Sequence, residues 1–346
     1  MQLTSHPLLS FSRLEDLLHA AGSVRVGVVG DACLDVYWEA DMNLSRLARE
    51  NPHFILPVVA ERMSPGGGSN TAACMSALGV KAVPLLGVIG DDWRGRELQH
   101  LLPGYGISTD FLLTSTERTT VTFCKPLRRG LSDLVYEDPH LYFENRTPAS
   151  PAMEAALLER LEALLCEIDA LVVADYQEFG TITPALRERL NEAGRAGLSV
   201  VVDSRMYIKQ YHQVVLKPNE VEALWAIGSQ ISPHDATVEQ LEEAALTLAR
   251  QSDSRVCLTL GGKGCLWVED GVTTPIPTRP ATPPLDTVGA GDCFAAAFAT
   301  ALGAGASGAE AAALANLASA VVVRKIGTTG TASPDEIRQR YHEDYS

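Results

Sequence analysis

Asp286-Thr287-Val288-Gly289-Ala290-Gly291-Asp292 runs directly into Cys293-Phe294-Ala295-Ala296-Ala297-Phe298. Three small residues therefore stand just ahead of a carboxylate where an apolar helical run begins. A helix that starts on bare backbone offers unpaired N–H groups and the positive end of its dipole. Such an end is suited to phosphate oxygens. Asp292 sits beside that anion site, where a negative side chain is out of place unless it has a task. Taking a proton from a hydroxyl that attacks phosphorus is such a task. The same residues also read as a plain glycine-rich turn with Asp292 as a first-turn acid, and alone they do not separate the two readings.

Composition narrows the field. The chain has 346 residues, a net charge of -15 and 46% hydrophobic residues. That length suits about two domains or one large α/β unit, with a sizeable core. A pI near 5.0 disfavours nucleic acid or an anionic membrane as partner. An anionic substrate would need local positive groups against this field. The seven cysteines are scattered, with no Cys-x-x-Cys pair, so neither a zinc site nor a disulfide framework is signalled. They read as small core residues of a reducing cytoplasm. No secretory leader is read, and no apolar run reaches the ~18 residues of a membrane span, so no membrane partner is expected. The eight histidines form no cluster with ligand spacing.

Away from the opening stretch, apolar runs alternate with amphipathic ones. Ser12-Arg13-Leu14-Glu15 reads as a capping box for a short leading helix that Gly22 stops. Strands are expected at 24–29, 83–89, 170–174, 198–203, 214–217 and 256–260. Helices are expected at 71–78, 154–166, 184–196, 238–251, 292–302 and 309–323. Repeated βα units with near-continuous apolar strands imply a parallel sheet covered on both faces. Residues 36–63 show a weak helical pattern, and 119–126 with 134–144 read as hairpin strands around Arg128-Arg129-Gly130. The polar segments 36–63 and 118–146 break the βα rhythm and read as excursions forming a small β-rich lid. Residues 275–284 read as a stiff proline-rich connector.

Other motifs are individually weak. No Gly-x-x-x-x-Gly-Lys-Ser/Thr occurs, which excludes a P-loop, and Gly27-Val28-Val29-Gly30 is one glycine short of a dinucleotide fingerprint. Asp31 and Asp35 lie past the carboxyl end of the first strand, where α/β sheets bind ligands. They could accept from sugar hydroxyls or simply be solvated. Gly66-Gly67-Gly68-Ser69-Asn70 permits a close ligand approach at Gly67, with Asn70 either a hydroxyl partner or a helix cap. Asn219 and Glu222 share a face and suit water-mediated magnesium, or form a capping pair. Thr259-Leu260-Gly261-Gly262-Lys263-Gly264 reads as a nucleotide-facing turn or an ordinary hairpin. Lys125, Arg128, Arg129 and Arg146 are the densest positive charges of the lid, able to meet a substrate phosphate or to form a solvated turn.

Taken in order, these pieces resemble the ribokinase-like sugar kinases, the PfkB carbohydrate kinase family, over residues 24–334. One family signature is similar to Gly66-Gly67-Gly68-Ser69-Asn70 through Gly87-Val88-Ile89-Gly90-Asp91-Asp92 and Gly95. The other is similar to residues 286–292, and an Asn-x-x-Glu element to Asn219 and Glu222. The stretches Leu34-Asp35-Val36-Tyr37-Trp38, Glu61-Arg62-Met63-Ser64-Pro65-Gly66-Gly67 and Lys325-Ile326-Gly327-Thr328 resemble the branch that phosphorylates heptose 7-phosphate at the anomeric hydroxyl. Gln177-Glu178-Phe179-Gly180 lacks the usual lysine after Asp175-Tyr176, and Asp203-Ser204-Arg205 replaces Asp-Pro-Lys.

The resemblance implies a three-layer α/β/α sandwich with a mostly parallel sheet and a small β-lid. It implies an N-terminal helical extension at 1–23 and a kinase domain at 24–340. By the same resemblance, ATP is the phosphoryl donor, Asp292 the base, and the amides of Gly289, Ala290 and Gly291 the stabilisers of the transferring group. Asp31, Asp35, Gly67 and Asn70 would hold the sugar or sugar phosphate. Thr259, Gly261 and Asn316 would border the nucleotide, with Mg2+ held through water near Asn219 and Glu222. Carbonyls of 325–328 would face a K+ ion, and a homodimer through the lid is implied. Acceptors of this family also include ribose, fructose and nucleosides, and a non-catalytic sensor could use the same scaffold.

Overall fold

Ala170-Leu171-Val172-Val173-Ala174 and Val200-Val201-Val202 are apolar on both pleats, so each strand needs cover on two sides. The computed structural model, which describes residues 8–130, 132 and 134–345, supplies that cover. Ala170, Val172 and Val201 face one hydrophobic cluster, while Leu171, Val173, Val200 and Val202 face another.

In chain order, α1 (Phe11–Ala21) precedes β1 (Val26–Gly30), which passes through Asp31 into β2 (Ala32–Asp41). β3 (Val58–Gly67) returns and leads into α2 (Gly68–Ala77). Next come β4 (Leu85–Gly90), α3 (Trp93–Leu101), β5 (Leu112–Ser115), β6 (Thr122–Arg129), β7 (Tyr136–Glu137) and β8 (Leu141–Phe143). The chain continues with α4 (Pro151–Leu165), β9 (Ala170–Asp175), α5 (Pro184–Arg195), β10 (Ser199–Ser204), β11 (Val215–Leu216), α6 (Glu220–Ala226) and α7 (Val238–Ser252). It closes with β12 (Arg255–Thr259), β13 (Cys265–Glu269), β14 (Val272–Ile276), α8 (Ala290–Gly303), α9 (Gly308–Val322) and α10 (Pro334–Tyr345).

The central sheet has nine strands in the order β14-β13-β12-β11-β10-β9-β1-β4-β5. It is parallel from β12 to β5, and only β13 and β14 run antiparallel. Buried residues of α1, α2, α8, α9 and α10 fill one side, and those of α4, α5, α6 and α7 the other. This is the expected three-layer α/β/α sandwich with a mostly parallel sheet. Leu14 and Leu17 of α1 belong to the main core, and the Tyr341 hydroxyl donates to the Leu9 carbonyl at 3.0 Å. A second sheet runs β3-β2-β6-β7, with β8 also paired to β6. Its strands β2 and β6 are parallel, and β2 and β3 antiparallel.

Some sequence expectations change. The weak helical pattern at 36–63 is largely strand: Val36-Tyr37-Trp38 favours extended backbone, and pairing with β3 and β6 decides the matter. The capping box at 12–15 is absent, because the helix starts at Phe11 and Ser10 Oγ accepts from the Arg13 amide at 3.2 Å. The expected strand 134–144 divides into β7 and β8. The expected connector from 275 begins within β14, where Pro275 is tolerated because that strand is the sheet edge. Among the described residues, no helix is long and apolar enough to cross a membrane. The cysteines form no disulfide.

Candidate active site

The first turn of α8 is built from backbone. Gly289 precedes the helix at φ 78°, a left-handed position, and no side chain caps it. A Cβ there would stand 2.9 Å from Asn70 Nδ2. The turn is held from outside: the Val288 and Gly327 amides donate to the two oxygens of Asp286 at 3.0 and 2.8 Å. Ala290's amide donates to the Thr287 carbonyl at 3.2 Å, so the expected three-amide cradle reduces to Gly289 and Gly291. Gly291 is exposed, which leaves this end of the helix open.

Asp292 follows at once, half-buried beside the open turn. Its carboxylate accepts from Asn70 Nδ2 at 2.8 Å and from the Tyr176 hydroxyl at 2.9 Å. Both partners are neutral, so no cation touches the carboxylate; the Lys217 ammonium acts on it from farther off. Burial pushes the Asp292 carboxyl up to about 6, and Asp203 and Asp35 add to the rise while Asn70 and Tyr176 oppose it. A carboxyl poised there is a carboxylate at neutral pH and a competent proton acceptor.

Two chambers meet at this turn. One, of about 360 Å³, is walled by Asp35, Gly67, Lys125, His140, Arg205 and Asp292 among others. The second, about 550 Å³ and more apolar, is lined by Thr259, Gly261, Leu285, Phe294, Asn316 and Val323 among others. Lys217, Asn219, Thr287 and Gly291 border both. The arrangement sets two cavities end to end across the α8 terminus, a geometry that group transfer between two ligands would need.

The expected site residues divide. Asp35 and Gly67 line the first chamber, and Asp35 is tied to Lys125 Nζ at 3.0 Å. Burial raises the Asp35 carboxyl, with Lys125 pulling against the rise. Gly67 sits at φ 53°, where a Cβ would meet Cys33 Sγ at 2.8 Å. Asn70 serves Asp292 directly. Asp31 is a correction: it is 2% exposed and its carboxylate accepts from the amides of Tyr176, Gln177 and Thr181, so it has no oxygen to offer a sugar. Thr259, Gly261 and Asn316 line the second chamber, and the Thr259–Gly264 turn joins the β12–β13 hairpin, as its plainer reading expects.

Asn219 and Glu222 form a mutual capping box, each amide bonded to the other's side chain at 2.9 Å. They also line the cleft. Burial and Asp203 raise the Glu222 carboxyl. Arg128 and Arg129 are absent from the cleft wall, being paired with Asp138 and Glu39 in the second sheet.

Several contributors escaped sequence reasoning: Tyr176, Asp203, Arg205, Lys217 and His140. Four of them lie at or just past the carboxyl ends of β9, β10 and β11, which is the available signal. Lys217 Nζ pairs with Asp203 at 3.0 Å in a buried contact. Burial lowers the Lys217 ammonium's affinity for its proton, but Asp203 and Glu222 prevail and hold its pKa above the ordinary value. Arg205 is exposed, lies 5.1 Å over the Tyr176 ring, and joins no ion pair among the described residues.

The profile of the pfkB family carbohydrate kinases matches residues 32–336. The chain belongs to that family. It is a carbohydrate kinase, a phosphotransferase with an alcohol acceptor. The bifunctional protein HldE of Caulobacter vibrioides is 35% identical over 324 residues, which are 91% of this kinase and 63% of that protein. HldE of Coxiella burnetii is 31% identical over 92% of this chain and 64% of its own. The kinase thus spans under two thirds of these relatives' length. Among solved structures, Escherichia coli phosphofructokinase-2 in complex with substrates and products superposes with a TM-score of 0.71 at 20% identity, covering 93% of this chain and 100% of that one. Arabidopsis thaliana ribokinase complexed with ribose and ATP gives 0.68 at 22%, covering 92% and 98%. These two likenesses speak to the fold.

Proposed function

We propose that this kinase transfers the γ-phosphoryl group of ATP to a hydroxyl of a sugar phosphate, with heptose 7-phosphate as the first acceptor to test. The observation that carries the transfer is Asp292 beside the open amides of Gly289 and Gly291, where the two chambers meet. The apolar chamber suits adenine and ribose, bordered by Thr259, Gly261 and Asn316. The polar chamber suits the acceptor. Asp35 and Gly67 border its hydroxyls, Asn70 orients Asp292, and Asp292 takes the proton of the attacking hydroxyl. As the new P–O bond forms, the bond to ADP breaks and charge grows beside the two amides.

A phosphorylated acceptor is favoured by Arg205, a cleft cation with no carboxylate of its own, near the Lys125–Asp35 pair and His140. A guanidinium offers several donors to phosphate oxygens. The HldE relatives favour a heptose phosphate within that class. The second sheet, residues 32–67 and 122–143, would serve as a lid, since it brings Asp35, Lys125 and His140 to the chamber.

Mg2+ would supply charge neutralisation for the ATP phosphates. Among the described residues, no cluster of three acidic, cysteine or histidine ligands exists for a metal, and Glu222 and Asn219 already cap each other. The fit is therefore through water to ATP-bound Mg2+. A K+ ion fits less well, because the Gly327 carbonyl accepts from the Arg62 guanidinium, and no step is assigned to that ion.

The test is ATP consumption over heptose 7-phosphate, fructose 6-phosphate, ribose, fructose and nucleosides, with product sites mapped by 31P NMR. Turnover confined to unphosphorylated sugars would sink the sugar-phosphate reading. Arg205→Ala should raise KM for the sugar phosphate by about 10–100-fold, the worth of a charge-assisted hydrogen bond, with little change for ATP.

A further inference from the structure

The Tyr176 hydroxyl stands between two carboxylates but has one proton to give. It lies 2.9 Å from Asp292 Oδ1 and 3.2 Å from Asp203 Oδ2. The same Asp203 oxygen takes the Lys217 ammonium at 3.0 Å, so Asp203 has a cation in direct contact while Asp292 feels that ammonium only from farther off. When Asp292 is ionised, the phenol proton belongs on Asp292, and Lys217 satisfies Asp203 alone. Once Asp292 has accepted a proton it no longer needs that donor, and the hydroxyl is free to rotate toward Asp203. The phenol is buried among both carboxylates, which keeps it a neutral donor throughout.

We propose that Tyr176 is a positioning residue whose single hydroxyl proton switches between Asp292 and Asp203 as the base loads and unloads, so that it sets the pH at which the kinase turns on. The step balances. The acceptor hydroxyl's proton moves to Asp292, its oxygen bonds phosphorus, ADP departs with the electron pair of the broken P–O bond, and Tyr176 changes hydrogen-bond partner without losing its proton.

Other groups face Asp292 from the elements packed around it. Asn70 on α2 donates to the second oxygen, and Asp35 on β2 adds negative charge. Cys74 on α2 sits near Asp292 and Cys293, with its thiol pushed up chiefly by its hydrogen bond to Cys293, then by burial. Arg205 stands over the face of the Tyr176 ring. Lys217, past β11, adds positive charge to both Asp203 and Asp292 but contacts only Asp203, so the Tyr176 hydroxyl is the one proton among these that bonds to both carboxylates.

The inference rests on Asp292 as the base, so Asp292→Asn is run alongside; near-normal turnover there would sink that reading first. If Asp292→Asn is inactive, the readout is the acid limb of kcat/KM against pH for the acceptor. Tyr176→Phe removes a donor to the carboxylate, so the limb should move up by about one pH unit while KM for ATP stays within about twofold. Asp203→Asn removes a neighbouring negative charge and leaves the phenol to Asp292, so the limb should move down. Opposite displacements support the switch. An unmoved limb in Tyr176→Phe, or displacements of the same sign, overturn it even if kcat falls. Should Tyr176→Phe fail to fold, an unmoved or raised limb in Asp203→Asn overturns the proposal by itself.

Discussion

At the residue scale, activity should follow the charge of one carboxyl. Asp292→Asn keeps the shape of the site but cannot accept a proton, so kcat should drop roughly 10²–10⁴-fold while nucleotide binding survives. Equilibrium titration with ATP beside initial-rate kinetics checks both halves. In the parent kinase the carboxyl lies at about 6, because burial disfavours its charge. A base acts only when deprotonated, so kcat/KM should be level above that pH and fall about tenfold per unit below it. A flat profile down to pH 5 would remove Asp292 from this role. Asp292 stood out as a candidate because Gly-Ala-Gly precedes it at a helix start, but that stretch alone read equally as a plain turn, and only the resemblance to the family singled out the base role. Its neighbours were not. Asp31 and Asp35 looked alike on paper, and only the fold turns one toward three amides and the other toward Lys125. Arg128 and Arg129 were credible phosphate ligands until strand pairing set them near Asp138 and Glu39.

At the element scale, α6 lets two jobs of one side chain be separated. Asn219→Ala should lose the cap, at about 1 kcal/mol of stability, and also any role toward the ATP metal. Asn219→Asp keeps the cap. If urea unfolding shows the Asp variant as stable as the parent while its apparent Mg2+ affinity changes, the residue acts on the metal. If both measurements return to parental values, it is a cap alone. The elements most easily read were those whose environment is uniform. β9 and β10 are covered on both faces, so their apolar runs are unbroken. α8 and α9 pack heavily, and their expected spans agree with the structure to within two residues at each end. The second sheet was harder. Its β2 mixes Asp35, Glu39 and Asp41 with aromatic residues, because it borders a polar cleft, and that mixture imitates a weak helix. The hairpin of β13 and β14 went unread because its strands are short and β14 is half-exposed at an edge.

At the scale of the whole molecule, Asp31 marks where the chain leaves one sheet for the other. Its amide donates to Ala174 at the end of β9, and its carbonyl accepts from Gly68 at the start of α2. Its carboxylate closes the loop after β9 through three amides, and burial with Asp175 nearby pushes that carboxyl up to about 6. Asp31→Ala strands those amides without an acceptor, so stability should fall by at least ~3 kcal/mol, read as a lower urea midpoint. A shift under about 1 kcal/mol would mean that water replaces the carboxylate and that the junction is soft.

The first of those amides belongs to Tyr176, whose phenol donates to Asp292, the proposed base. The junction between the two sheets is therefore tied, through one residue, to the phenol beside Asp292. Were the second sheet to tilt over a bound sugar, as the proposed lid would, the strain would reach that tie. In that case an occupied cleft would be felt at Asp292 as well as at the binding surface, and the idle and working forms would titrate at different acidities.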